Sequence, residues 1–321
     1  MQHKEILFQK KPVICLCALA CTALWGSAFP CIKTGYLLFS IDSSDTASVI
    51  LFAGLRFFGA GILTILIGSA GQKKILHPSR NSWGRIFTLC MFQTVIQYLF
   101  FYIGLAHTTG VKGSILNGSG TLFALIFSCL LFRQEKMTIS KLTGCLTGFA
   151  GMVLVNLTGS GISGGFTLTG EGFMIISAAC YAFSSIFLKK FSAKDSPVML
   201  SGYQFAVGGA VMIGIGLLSG GRLQPVRPAA FGLLLYMMFI SAAAYSLWGI
   251  LLKYNPVSGI TIFGFMNPVF GVILSAIILK EQGSLGAQTI ISLVLVCLGI
   301  YLVNREKTEK NEVRKPKQPD E

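Results

Sequence analysis

The chain has 321 residues, 53% of them hydrophobic and only 12% charged, with a formal net charge of +14 and a mean hydropathy of +0.70. A soluble domain carries roughly twice that charged share, so the composition excludes a soluble globular protein and leaves an integral membrane protein. The basic excess does not read as a nucleic-acid footprint, because it is sorted between the two sides of a membrane.

Apolar stretches that match the roughly 20 residues a helix needs to cross the hydrocarbon core fall at 13–37, 47–69, 85–106, 112–132, 139–157, 171–190, 198–218, 229–252, 257–279 and 285–303. They are continuous rather than alternating, which argues against a β-barrel. The third and fourth spans are nearly fused, as are the eighth and ninth. The expected fold is all-α with ten transmembrane helices.

The first span follows Lys4, Lys10 and Lys11 as a signal peptide would, but its apolar part runs through Ile32, longer than an h-region, and it reads as a retained helix. It carries Trp25 and Pro30, and Lys33 near its outer end reads as a snorkelling anchor. Arg56 lies well inside the second span. An unpaired Arg there costs at least ~2.5 kcal/mol. It needs a hydrated cavity, carbonyl groups or an anion: Asp42 and Asp45 offer a structural ion pair, and an anionic substrate group is the functional alternative. In the third span Gln93 and Gln97 share a face, and Tyr98 and Tyr102 follow at the same spacing. Asn117 lies in the fourth span, which ends at Glu135 with Lys136 alongside to neutralise it. In the fifth, Gly144 and Gly148 permit close helix approach, within one monomer rather than between copies.

Tyr181 and Gln204 fall in the sixth and seventh spans. Tyr245 and Trp248 share a face of the eighth, and Asn267 and Pro268 lie in the ninth, which ends at Glu281 beside Lys280. Mid-membrane amides want partners or a hydrated pathway. The aromatic and amide set, together with Arg56, is therefore the candidate substrate lining. Glu135 and Glu281 are helix-end groups, structural or gating. Pro30, Pro268 and the small residues near 113–120 could break helices. The segment 305–321 is a basic tail.

With the N-terminus inside, cytoplasmic segments collect 20 of the 26 Lys and Arg residues, and the outer loops hold Lys112, Arg222, Arg227 and Lys280. The positive-inside rule then places both termini in the cytoplasm. All nine cysteines fall inside spans, so no disulfide framework is implied. No acid sits at mid-membrane and no nucleotide-binding loop is present. No cofactor, catalytic residue or metal site is expected, and the expected partners are a small-molecule substrate and the bilayer. Whether the chain is a monomer or a homodimer stays open, as do an intramembrane enzyme acting on a lipid-linked substrate and a supporting subunit.

An offset of 146 residues superimposes Leu105 on Leu251, Val111 on Val257, Gly113 on Gly259, Gly118 on Gly264 and Glu135 on Glu281, without a gap. At 148, Leu55-Arg56-Phe57 meets Tyr203-Gln204-Phe205. The chain reads as two five-helix units, 13–157 and 171–304. Five is odd, so the second unit enters from the opposite side and lies inverted, as in many secondary transporters.

Trp25-Gly26-Ser27, Leu55-Arg56-Phe57, the aromatic-led third and fourth helices, Pro268-Val269-Phe270 and the two helix-ending glutamates occur in an order that resembles the drug/metabolite transporter superfamily, specifically the EamA-type carriers. Leu122, Gln134, Lys280 and Tyr181 depart from the family pattern. The resemblance implies a plasma (inner) membrane carrier of an amino acid or similar small metabolite, or of a drug or lipid, with export favoured and alternating access as the mechanism.

Overall fold

The computed structural model describes residues 6–108, 110–156, 166–278 and 287–312, all side chains included except those of a few helical residues. Glu281 and Lys280 lie outside the described residues, as do Lys4 and the end of the tail. Among the described residues the regular structure is all helix, with no strand.

Among the described residues ten helices follow the ten apolar stretches. They are α1 (Lys11–Leu38), α2 (Thr46–Gln72), α3 (Arg80–Ala106), α4 (Gly110–Ile126, extended by a π turn over Phe127–Leu131), α5 (Ile139–Asn156), α6 (Leu168–Ser192), α7 (Pro197–Leu218), α8 (Ala229–Tyr254), α9 (Val257–Thr261, Ile262–Phe265 and Met266–Ile278) and α10 (Ala287–Glu312). Seven are individually long and apolar enough to span a bilayer; α4, α5 and α9 are shorter apolar helices. The protein is a multi-pass membrane protein.

Local chemistry sets the boundaries. Pro starts α7, and Asp45 caps α2 by accepting from the Ser48 N–H at 3.1 Å. Asn255, extended at φ −129° and ψ 161° because Pro256 follows it, ends α8 and lets α9 begin two residues later. That resolves the nearly fused eighth and ninth spans. Backbone helix also continues past the expected end of the tenth span to Glu312, over residues of good helix propensity.

The expected helix breakers behave differently from one another. α1 runs unbroken through Pro30, and residues 113–120 stay helical. In α9 the backbone tightens to a 3-10 turn over Ile262–Phe265. Pro268 has no N–H to give to the Gly264 carbonyl four residues back, and its ring crowds that oxygen, so the regular ladder cannot run through. A π turn also interrupts α3 at Cys90–Val95.

The packing repeats itself. α1 packs on α9 and α8, and α6 packs on α4 and α3; α2 packs on α8, and α7 on α3. Adding or subtracting five converts each of these contacts into its counterpart. Two further pairs, α2 with α7 and α5 with α10, convert into themselves and are the most extensive. Both are glycine seams. A methyl group added at Gly54 would sit 2.7 Å from the Ile213 backbone N, at Gly216 2.8 Å from the Leu51 Cα, and at Gly144 2.8 Å from the Gly299 carbonyl oxygen. Backbones therefore touch backbones, the packing open to helices that have no hydrophobic drive to associate in lipid. Gly144 and Gly148 both meet residues of their own chain. All nine cysteines are unpaired.

Candidate functional site

Where α1, α2, α3, α7 and α8 converge, aromatic rings form a closed circuit. Phe57 stacks on Phe205 at 5.3 Å, Phe205 meets the Tyr245 ring at 4.8 Å, the Tyr245 and Tyr98 hydroxyls are 2.7 Å apart, and Tyr98 returns to Phe57 at 4.4 Å. Trp25 leans edge-on against Tyr245 at 4.9 Å and Trp248 at 5.0 Å. Tyr102 continues the row at 6.0 Å from Tyr98. Such ring geometries contribute roughly 0.5–1.5 kcal/mol each beyond the area they bury.

Arg56 is set into this circuit with 4% of its surface exposed. Its Nε donates to the Ser241 hydroxyl at 3.0 Å, and its guanidinium lies 5.2 Å from the Phe57 ring centre. The ion pair with Asp42 or Asp45 does not form. Asp42 accepts from the Ser44 N–H and hydroxyl at 2.9 and 2.8 Å, and Asp45 is committed to its helix cap. A short acid bonded to its own turn cannot also reach three turns down a helix. Among the described residues no carboxylate pairs with Arg56.

Beside the circuit lies a cavity of about 220 Å³, lined by Tyr36, Ser43, Ser44, Val49, Tyr102, Leu105 and Ala106. It occupies the end of the bundle where α1 joins α2 and where the linker after α7 pairs its backbone with Leu38 and Phe39.

The remaining candidates divide. Gln93 and Gln204 turn towards each other. The Gln204 Nε2 donates to the Gln93 Oε1 at 3.1 Å, and Thr94 donates to the Gln204 Oε1 at 2.7 Å, all three buried. They form a closed amide clamp between α3 and α7. The Gln97 Oε1, the Asn267 Oδ1 and the indole N–H groups of Trp25 and Trp248 are buried without a hydrogen-bond partner among the described residues. The Tyr181 hydroxyl faces Gly264 and the broken part of α9. Asn117 is exposed on α4.

Four contributors to the cluster lay outside the residues marked from sequence: Phe57, Phe205, Ser241 and Tyr36. Ser241 precedes Tyr245 by four residues and Trp248 by seven, and that spacing on one helix face was a readable signal.

The clamp and the Arg56 contact are built from similar residues in the two halves. Arg56 and Phe57 stand in α2 where Gln204 and Phe205 stand in α7. Ser241 precedes Tyr245 by four residues, as Thr94 precedes Tyr98. One half joins Arg56 to Ser241, and the other joins Gln204 to Thr94.

At the opposite end Glu135 is nearly enclosed. Ser258 donates to it from its backbone N–H at 3.1 Å and from its hydroxyl, and Lys141 donates at 2.8 Å. A carboxylate thus sits on the first turn of α9, where unpaired N–H groups favour an anion, and ties the α4–α5 loop to it. Lys141, not the expected Lys136, is the neutralising cation, because the first turn of α5 carries it back over the loop; Lys136 supplies a carbonyl to the same ammonium. Burial opposes ionisation of Glu135. The hydrogen bonds from Lys141 and Ser258, with the Lys141 charge, outweigh it and hold the carboxyl below the ordinary carboxylate range. Beside this knot Lys189 donates to the carbonyls of Leu252 and Asn255, and Asn255 reaches the Phe8 carbonyl at 2.9 Å.

The model of the EamA-like transporter family matches residues 12–157 and again 168–305. An "Uncharacterized transporter" of Synechocystis sp. is 26% identical over 91% of this chain and 89% of its own length. The "Uncharacterized transporter YvbV" of Bacillus subtilis is 24% identical over 89% and 90%. A solved crystal structure superposes with a TM-score of 0.73 at 16% identity, covering 91% of this chain and 97% of that one, a likeness of fold.

Proposed function

We propose that this chain, which belongs to the EamA-like transporter family, carries a small polar-organic solute of amino-acid size across the plasma membrane by alternating access. Family and relatives are transporters and not enzymes. The observation that carries the reading is the central circuit of Trp25, Arg56, Tyr98, Tyr102, Tyr245 and Trp248, built from helices of both halves. It lies beside a cavity at one end, while the other end is tied shut through Glu135 and Ser258.

The tied end collects Arg85, Lys141 and Lys189, and the positive-inside rule makes it cytoplasmic. The cavity then opens outward, with both termini inside and the two five-helix units inverted relative to each other. Gln97, Asn267, Tyr181 and Asn117 extend the pathway; Gln93 and Gln204 brace it. Glu281, by its repeat position, is the outer counterpart of Glu135. Export follows from the resemblance to exporters.

The test is ligand-dependent thermal stabilisation of the purified protein across amino acids, polyamines, sugars and nucleosides. A ligand that binds only the native state raises Tm by mass action. A saturable shift confined to one class, and lost in Tyr102→Ala and Trp248→Ala, is the expected result. A shift that survives both substitutions would place the binding site elsewhere.

A further inference from the structure

We infer that the transported solute is a small organic carboxylate with a net negative charge, held by the guanidinium of Arg56; this rests on the carrier reading above. Among the described residues Arg56 uses one of its five N–H groups, the Nε bonded to Ser241. A buried guanidinium with its remaining donors idle is expensive in a membrane, and the fold itself does not require it. At the repeat-equivalent position Gln204 bonds to a hydroxyl, that of Thr94, with no charge. The charge of Arg56 is therefore surplus to packing.

Each acid with a described side chain is held at a helix end. Asp42 binds Ser44, Asp45 binds Ser48, Glu135 binds Lys141 and Ser258, Glu171 binds Thr108 and Thr167, and Asp195 binds Arg85 and Ser82. Around Arg56 stand phenols instead. Tyr36, Tyr98, Tyr102 and Tyr245 are all within electrostatic reach of its guanidinium, and Tyr36 and Tyr102 line the cavity. Phenol O–H groups and guanidinium N–H groups are donors that suit a carboxylate. The ammonium of a zwitterion would meet a cation and no carboxylate. The cavity, at about 220 Å³, is smaller than the roughly 300–1,000 Å³ that drug-sized ligands occupy.

The experiment compares probes that share a body and differ in charge: 3-phenylpropionate, phenylalanine and phenethylamine, with butyrate, 2-aminobutyrate and butylamine as an aliphatic set. The full-length protein in proteoliposomes is assayed for saturable uptake of each, with and without an imposed membrane potential. The expected result is at least tenfold faster uptake of the carboxylate than of its zwitterion or amine on one body, accelerated by a potential positive on the receiving side. Arg56→Gln should erase the preference and Arg56→Lys should retain part of it. Gln204 is the precedent that a glutamine folds at this position, and an unchanged monodisperse elution profile verifies it. Uptake of a zwitterion or amine at least as fast as the carboxylate, unchanged in Arg56→Gln, overturns the charge assignment and leaves the carrier reading standing. No saturable uptake of any probe counts against both.

Discussion

Phe57 stacks on Phe205 with ring centres 5.3 Å apart and planes 9° from parallel, and the two residues hold the same position in the two halves of the chain. Next to them Tyr98 and Tyr245, on α3 and α8, share a hydroxyl–hydroxyl hydrogen bond. The corresponding helices α2 and α7 thus meet at the centre, and so do α3 and α8.

The tyrosine pair gives the sharpest energetic test. Tyr98→Phe or Tyr245→Phe alone strands one buried phenol and should lower stability by about 1–2 kcal/mol. The double Phe variant loses both partners of the bond and should cost less than the sum of the singles. A double-mutant cycle on Tm or denaturant midpoint in detergent should return a coupling of about 1 kcal/mol. Additive losses would mean that the hydroxyls act separately.

Gln204→Ala should destabilise by about 2–3 kcal/mol, because it orphans Thr94 and Gln93 at once and leaves a cavity. Asn117→Ala, on an exposed position of α4, should change stability by less than about 0.5 kcal/mol. Parallel melting curves distinguish the two, and equal losses would remove the clamp from the structural account.

Glu135 makes the tied end sensitive to acid. Its carboxyl titrates lower in the folded protein than in the unfolded chain. The stability it contributes is complete above the unfolded value of about 4.3 and disappears as pH falls through the folded one. Melting temperature should fall with acidification below about pH 4.3 more steeply in the native protein than in Glu135→Gln. That variant should already be less stable at neutral pH by about 2 kcal/mol, since Lys141 then stays enclosed without its anion. Parallel pH profiles for the two proteins would show that Glu135 contributes nothing to the tie.

The glycine seams predict opposite signs for one chemical change. Gly209→Ala pushes a methyl group into the Phe58 backbone, which cannot yield, and should cost about 2–3 kcal/mol or block assembly. Gly214→Ala, five residues along the same helix with open space around it, should gain up to about 1 kcal/mol in helix propensity. Folded yield and Tm of the two variants decide it.

Much of this was legible in the sequence. Helix number and order follow from apolar runs, because hydrocarbon thickness sets a length that few other constraints alter. The repeat was legible at Glu135 and Phe57, because a duplicated packing position keeps its residue type. Partner choice was not. Gln93 and Gln97 read alike as amides on one helix face, yet Gln93 closes on Gln204 while Gln97 keeps an orphan oxygen. Distance across helices decides that, and spacing along one helix says nothing of it. Arg56 was legible as an anomaly, but its release from Asp42 and Asp45 required seeing those acids bonded to their own turns.

The helix pairs that convert into themselves have a geometric consequence. Any exchange of two halves that returns a pair to itself must have its rotation axis between the members of that pair. A two-fold relation between the halves would therefore run its axis through the α2/α7 seam, the Phe57–Phe205 stack and the α5/α10 seam. Points on an axis move least when two halves trade shapes, so under the proposed alternating access the Phe57–Phe205 stack would stay nearly still while the helix ends sweep around it. Arg56 makes the centre unequal in charge, a cation in α2 where α7 carries the neutral amide of Gln204. The centre is thus even-handed in shape and one-sided in charge.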